Sequence, residues 1–122
     1  MTMRRKNLGR EGELAVKDLL KRKGYSILET NFRTRTGEID IVAVQGSTLV
    51  FLEVKTRAGT NCGMPEEAVT HRKQQRIRRL ALEYMSAMEP GPKYQDIRFD
   101  VAAVTVVSGK EIAEIRHYEG AF

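Results

Sequence analysis

The chain has 122 residues, 41% of them apolar, which suits one compact core spanning 1–122 and leaves too little for two domains. Only three prolines and ten glycines, with no low-complexity stretch, argue against wholesale disorder and against a fibrous architecture. Lys and Arg number 21 against 16 Asp and Glu, a net charge of +5 that makes a polyanionic partner plausible, and no apolar run approaches the roughly 18 residues of a membrane helix.

Taken in chain order, the opening Met1-Thr2-Met3-Arg4-Arg5-Lys6-Asn7 is basic like the start of a signal peptide. A charged amphipathic stretch follows it instead of an apolar one, so export is not expected. A first helix is predicted from Leu8 to Lys23, because Gly12, Ala15, Val16, Leu19 and Leu20 recur at helical spacing and Gly24 supplies a stop. Tyr25 to Phe32 reads as a strand ended by the polar loop Arg33-Thr34-Arg35-Thr36-Gly37. Glu38 to Val44 and Thr48 to Arg57 form a hairpin across Gln45-Gly46-Ser47.

A loop from Ala58 to Pro65 holds Cys62, which has no cysteine partner for a disulfide or a structural zinc site and so fits a reducing cytoplasm. Glu66 to Met88 reads as a second helix with acids at its start and Pro90-Gly91-Pro92 beyond its end. Its segment His71 to Arg79 holds five cations and no acid, a pattern that more commonly marks a solvated helix face than a nucleic-acid site. Ile97 to Val107 and Glu111 to Tyr118 are the last strands. The order α-β-β-β-α-β-β implies an α/β domain, a central mixed sheet flanked by helices.

The hairpin is where chemistry is expected. If Gly46 and Ser47 are the two turn residues, Gln45 pairs with Thr48 and Asp40 falls directly opposite Glu53, whereas a three-residue turn would separate them. Strand parity then places Asp40, Val42 and Val44 on one face with Leu49, Phe51, Glu53 and Lys55. Opposed carboxylates about 4.5 to 5.5 Å apart on an apolar face repel unless one is protonated or a cation intervenes. A hard divalent ion such as Mg²⁺ suits that need, and Lys55 on the same face could orient a water or a phosphate oxygen. The simpler alternative pairs Lys55 with Glu38, its opposite number in the same register. A third acid would come from the first helix, where Glu13 shares a side with Val16 and Leu20, and Glu11 one with Leu14 and Ala15; periodicity does not choose between them. Gly9 and Gly12 suggest either a close backbone approach or a frayed helix end.

Asp40 followed by Glu53-Val54-Lys55 resembles the Asp…Glu-x-Lys signature of the restriction-endonuclease-like nucleases. More narrowly, Gly9-Arg10-Glu11-Gly12-Glu13, Asn31-Phe32-Arg33, Gly37-Glu38-Ile39-Asp40-Ile41-Val42, Phe51-Leu52-Glu53-Val54-Lys55-Thr56-Arg57 and Arg98-Phe99-Asp100-Val101 resemble the YraN family of predicted endonucleases. The chain is more distantly similar to archaeal Holliday-junction resolvases, a similarity that favours Glu13 over Glu11.

The resemblance implies a restriction-endonuclease-like fold and metal-dependent hydrolysis of DNA, with branched or junction DNA as the expected substrate. Asp40, Glu53 and the Val54 carbonyl would hold Mg²⁺ or Mn²⁺, Glu13 would hold or orient a second ion, and Lys55 would assist the attacking water. Arg33, Arg35 and Arg57 would clamp phosphates, and Lys73, Gln74 and Arg76 would approach the bound strand. Symmetric cutting of a four-way junction would require a homodimer. The alternative is a nucleic-acid-binding module of the same fold with little or no turnover, using Arg33, Arg35, Arg57, Arg72 and Arg76 on phosphates. His71, His117 and Cys62 are expected to be incidental, and Asp100 to bridge to an arginine such as Arg98.

Overall fold

The structure, a computed structural model, describes residues 2–58, 69–91, 93–107 and 111–122, with side chains from residue 9 through 57 in the first of these segments. The elements are α1 (Thr2–Arg22), β1 (Ser26–Thr34), β2 (Gly37–Gln45), β3 (Thr48–Ala58), α2 (His71–Ala87), β4 (Asp96–Val107) and β5 (Glu111–Tyr118). The five strands make one sheet in the order β1-β2-β3-β4-β5. Hairpin neighbours run antiparallel, while β3 and β4, joined through α2, run parallel. This is the mixed α/β architecture expected from the order of elements.

A helix covers each face. On one side Val16, Leu20 and Tyr25 pack on Ile41, Ala43, Val50, Leu52, Ala102 and Val104; on the other, Ile77, Leu80, Ala81 and Tyr84 pack on Val42, Leu49, Phe51 and Val101. The central strands therefore bury both faces, which is why β3 and the middle of β4 read as nearly continuous apolar runs.

α1 ends where Gly24 adopts φ +92°, a left-handed conformation that costs glycine little. The Gly24 N–H donates to the Lys21 carbonyl at 3.1 Å and the Tyr25 N–H to the Leu20 carbonyl at 2.9 Å, closing the helix with a Schellman motif. The same helix starts earlier than expected, at Thr2, since nothing between Thr2 and Leu8 breaks a helix and Met, Arg and Lys all favour one.

The second helix starts later than expected, at His71. Thr70 is its N-cap, extended in backbone and accepting the Lys73 N–H through its hydroxyl at 3.2 Å, so no acid lies in the first turn. The expected start at Glu66, together with the loop around Cys62, lies outside the described residues. β1 runs on through Arg33 and Thr34, leaving only Arg35 and Thr36 in the turn.

The hairpin has the two-residue turn. Gly46 takes φ +60°, Gln45 pairs with Thr48, and the ladder runs unbroken to Ile41 opposite Leu52. Beyond that point the simple alternation of faces fails: Ile39 packs with the α2 cluster although Ile41, two residues on, packs with the α1 cluster. Asp40 sits at the break, and Asn31, in the position across β1 from it, takes φ +55°, a conformation few residues other than Gly, Asn and Asp tolerate. The ladder also offers Lys55 no Glu38 partner; Glu38 accepts instead from Arg33 at 3.2 Å, its neighbour across β1.

Candidate active site

β2 and β3 deliver two acids to the end of their shared ladder. The Asp40 carboxylate accepts the Val54 N–H at 2.7 Å, so a side chain takes over where backbone pairing stops. Its carboxyl group lies within hydrogen-bonding reach of Glu53. Burial, followed by the charge of Glu53, pushes the Asp40 carboxyl up to about 8. The repulsion that the register implied is therefore present. Val54 meets Asp40 through its amide.

Glu13 approaches from α1. It is half-buried, and burial, with the charges of Asp40 and then Glu38, raises its carboxyl above the ordinary range. Glu11 is exposed. The geometry thus separates two acids that periodicity left equivalent. Asn31 ties the group together: with its amide nitrogen facing the acids, it donates to Glu38 Oε1 at 2.8 Å and to Glu13 Oε1 at 3.0 Å. Asn31 stood in the sequence only as part of a motif, with no role of its own; an asparagine within a predicted strand was the available signal.

Lys55 stands beside Glu53 and half-buried, its ammonium pushed below the ordinary range by burial and by the neighbouring ammonium of Lys73. Lys73 was expected on the nucleic-acid surface. It reaches instead into this cluster, its Nζ 3.7 Å from Glu53 Oε1. Its helical position explains the reach, since the Thr70 cap points the first turn of α2 at the end of β3.

The remaining expected phosphate contacts divide. Gln74 turns inward and donates to the Val69 carbonyl at 3.0 Å, holding the helix entrance in place of a bound strand. Arg33 is engaged with Glu38, and Arg57, half-buried near the end of β3, also has a partner. Arg35, Arg72 and Arg76 are exposed and line one cavity. One other expectation is revised and one is met. The His117 side chain, expected to be incidental, is only 4% exposed and donates from Nε2 to Asp100 Oδ2 across 2.7 Å. Asp100 does bridge to Arg98, at 2.9 Å through both of its oxygens.

Among the described residues no group of three or more His, Cys, Asp or Glu side chains is arranged to hold a metal ion by itself. What the chain offers is a pair, Asp40 and Glu53, with Glu13 behind Asp40. A pair of hard oxygen donors that ionise together only at a cost fits a divalent cation that keeps waters and shares a substrate phosphate.

Fold and site together define a small mixed α/β protein with acids and lysines gathered at the end of a central hairpin. The chain belongs to the uncharacterised protein family UPF0102, whose profile matches residues 12–104. It is 45% identical to a UPF0102 protein of Moorella thermoacetica over 122 residues, the full length of both. It is 44% identical to one of Alkaliphilus oremlandii over 117 residues, covering 96% of this chain and 98% of that protein. With a UPF0102 protein of Thermodesulfovibrio yellowstonii it shares 45% over 120 residues, 98% of this chain and 99% of the relative.

Proposed function

We propose that this chain is a metal-dependent endonuclease that hydrolyses DNA phosphodiesters, with branched DNA as its expected substrate. The observation that carries the reading is the partly buried Asp40 carboxyl held against Glu53 with Lys55 alongside. A structural hairpin gains nothing from that arrangement, because like charges this close weaken a sheet. Functional sites are where such perturbed groups gather.

Asp40, Glu53 and the Val54 carbonyl would hold Mg²⁺ or Mn²⁺, and Glu13 would bind or orient a second ion. The ion would supply charge neutralisation at the phosphate and activation of a water. The residues of the chain do the positioning. The Val54 amide and the neighbouring strand fix the Asp40 carboxylate. Asn31 fixes Glu13. Lys55, its ammonium less tightly protonated than an ordinary lysine's, can take or give a proton at Nζ as the water attacks, and Lys73 holds Glu53 from the other side.

The test is cleavage of junction, flap and single-stranded DNA with and without Mg²⁺ by the wild type, Asp40→Ala and Lys55→Ala. Each variant should lose at least about a hundredfold in rate. Wild-type rates in both would overturn the reading. A module that binds without cutting would leave salt-sensitive binding intact in chelator and show no Mg²⁺-dependent product from the wild type.

A further inference from the structure

The basic block of α2 does not act as one solvated face. Lys73 turns to Glu53, and the Arg78 guanidinium stacks on Phe99 and Phe122 with centroid distances of 4.8 and 5.6 Å. The other three cations, Arg72, Arg76 and Arg79, converge with Arg35 of the β1–β2 turn on a cavity of about 470 Å³, completed by Thr36 and Gln75. All four arginines are exposed, and none has an ion-pair partner among the described residues.

The convergence is built into the fold. At Gly37 a Cβ would stand 2.9 Å from Arg76 Cδ, so the absence of a side chain there lets the Arg76 stem lie across the turn and over Leu80. Unpaired guanidiniums held this close repel one another, and an anion with several oxygens relieves that repulsion while using their forked donors.

We infer that this four-arginine cavity binds the sugar-phosphate backbone of a nucleic-acid strand, along the same helix that sends Lys73 to Glu53. The inference rests on the nucleic-acid substrate of the proposed function and extends it to how the strand is held. Three features favour a backbone over a small anion. The cavity is open at the surface. Its lining has guanidiniums, a hydroxyl and an amide but no aromatic ring to stack a base, so it reads phosphate and leaves sequence unread. From Arg72 to Arg79 the helix rises about 10 Å at 1.5 Å per residue, more than a single phosphate group covers.

The experiment is a salt titration of labelled duplex DNA binding in EDTA, where no cleavage occurs, for the wild type, the double variant Arg76→Gln/Arg79→Gln, its charge-keeping counterpart Arg76→Lys/Arg79→Lys, and Arg116→Gln on β5 as an outside control. The Gln variant should lower the slope of log K against log salt by about 2 and bind roughly tenfold more weakly at low salt, while the Lys variant restores the slope and Arg116→Gln leaves it unchanged. An unchanged slope and affinity in the Gln variant overturns the inference. So does saturation by inorganic tripolyphosphate in a protein that fails to bind the DNA, since the ligand would then be a free polyphosphate. The two proposals fail separately: wild type that binds through these arginines and never cuts removes the nuclease alone, and unchanged cutting and binding in the Gln variant removes the cavity alone.

Discussion

Asp40 is the residue on which the proposed chemistry turns, and its environment makes a prediction independent of any assay of cleavage. Its carboxyl is pushed up to about 8 from an ordinary 3.8, by burial first and Glu53 second. Between those two values the folded protein holds a proton that the unfolded chain has released, so stability falls as pH rises from about 4 to about 8. Asp40→Asn keeps an oxygen to accept the Val54 N–H and removes the charge. In metal-free buffer the variant should therefore melt a few degrees above the wild type at pH 8, a gain on the order of 1–2 kcal/mol after allowance for partial exposure, and the gap should close near pH 4. Equal melting temperatures across that range would show that the carboxylate is not strained. The same substitution removes a proposed ion ligand, so gained stability with lost cleavage is the joint expectation, the trade a functional site makes. Asn31 belongs to this scale too. Its left-handed backbone and its two donated hydrogen bonds are one feature, because the kink aims the amide at Glu13 and Glu38.

Among the elements, α1 and β3 meet at a single tight contact. Gly12 is buried, and a Cβ there would collide with the Thr56 hydroxyl on β3. That contact puts Glu13, the next residue, beside Asp40. The reading that Gly12 marks a close approach was open from sequence; Gly9 is neither a helix end, since α1 begins at Thr2, nor a close approach, since a Cβ there would meet nothing. Gly12→Ala should destabilise the protein by about 1–3 kcal/mol through overpacking, and Gly12→Ala in a Thr56→Ala background should recover much of the loss. Gly9→Ala should be neutral or stabilising by up to about 1 kcal/mol. Urea unfolding of the four proteins decides it, and a destabilisation that Thr56→Ala does not relieve would mean that the glycine serves the helix and not the contact. The Thr56 hydroxyl is itself buried without a hydrogen-bond partner, a further sign that packing between these two elements takes precedence there.

Across the molecule, the fully buried Asp100 joins distant parts of the chain. It receives both Arg98 nitrogens at 2.9 Å, the His117 ring at 2.7 Å and the Gly120 N–H at 3.0 Å; Arg98 in turn donates to Tyr25 at 2.6 Å, and Lys23 lies 2.8 Å from the other ring nitrogen of His117. The end of α1, β4, β5 and the C-terminal segment thus share one carboxylate. Burial alone would raise its pKa, but the hydrogen bonds from His117 and Arg98 prevail and hold it below the ordinary range. Its stabilising effect is present above pH 3.8 and is lost as pH falls through the lower folded value. Asp100→Ala, which removes the shared acceptor of Arg98, His117 and the Gly120 N–H at the centre of the network, should cost about 2–4 kcal/mol. A thermal melt at pH 7 measures this, and a loss under about 1 kcal/mol would show that the network does not hold the fold together.

The two-residue turn was enough to set the register from Gln45–Thr48 to Ile41–Leu52 and so to bring Asp40 and Glu53 to the same end of the hairpin, because a hairpin register follows from local backbone geometry; the period-two pattern held only as far as Ile41. The order of elements and the mixed sheet were legible for the same reason: each element shows its own periodicity over a short window. What lay beyond reach depended on residues far apart in sequence. The turn of Lys73 toward Glu53, the burial of His117 on Asp100 and the meeting of Arg35 with three arginines of α2 are all set by how the elements pack together, as is the approach of Glu13 to Asp40, which periodicity left open and only the resemblance favoured. Periodicity says which side of an element is apolar. Only packing in three dimensions decides which polar groups at the edge of that side are brought within a few ångströms of one another, and so what charges they feel.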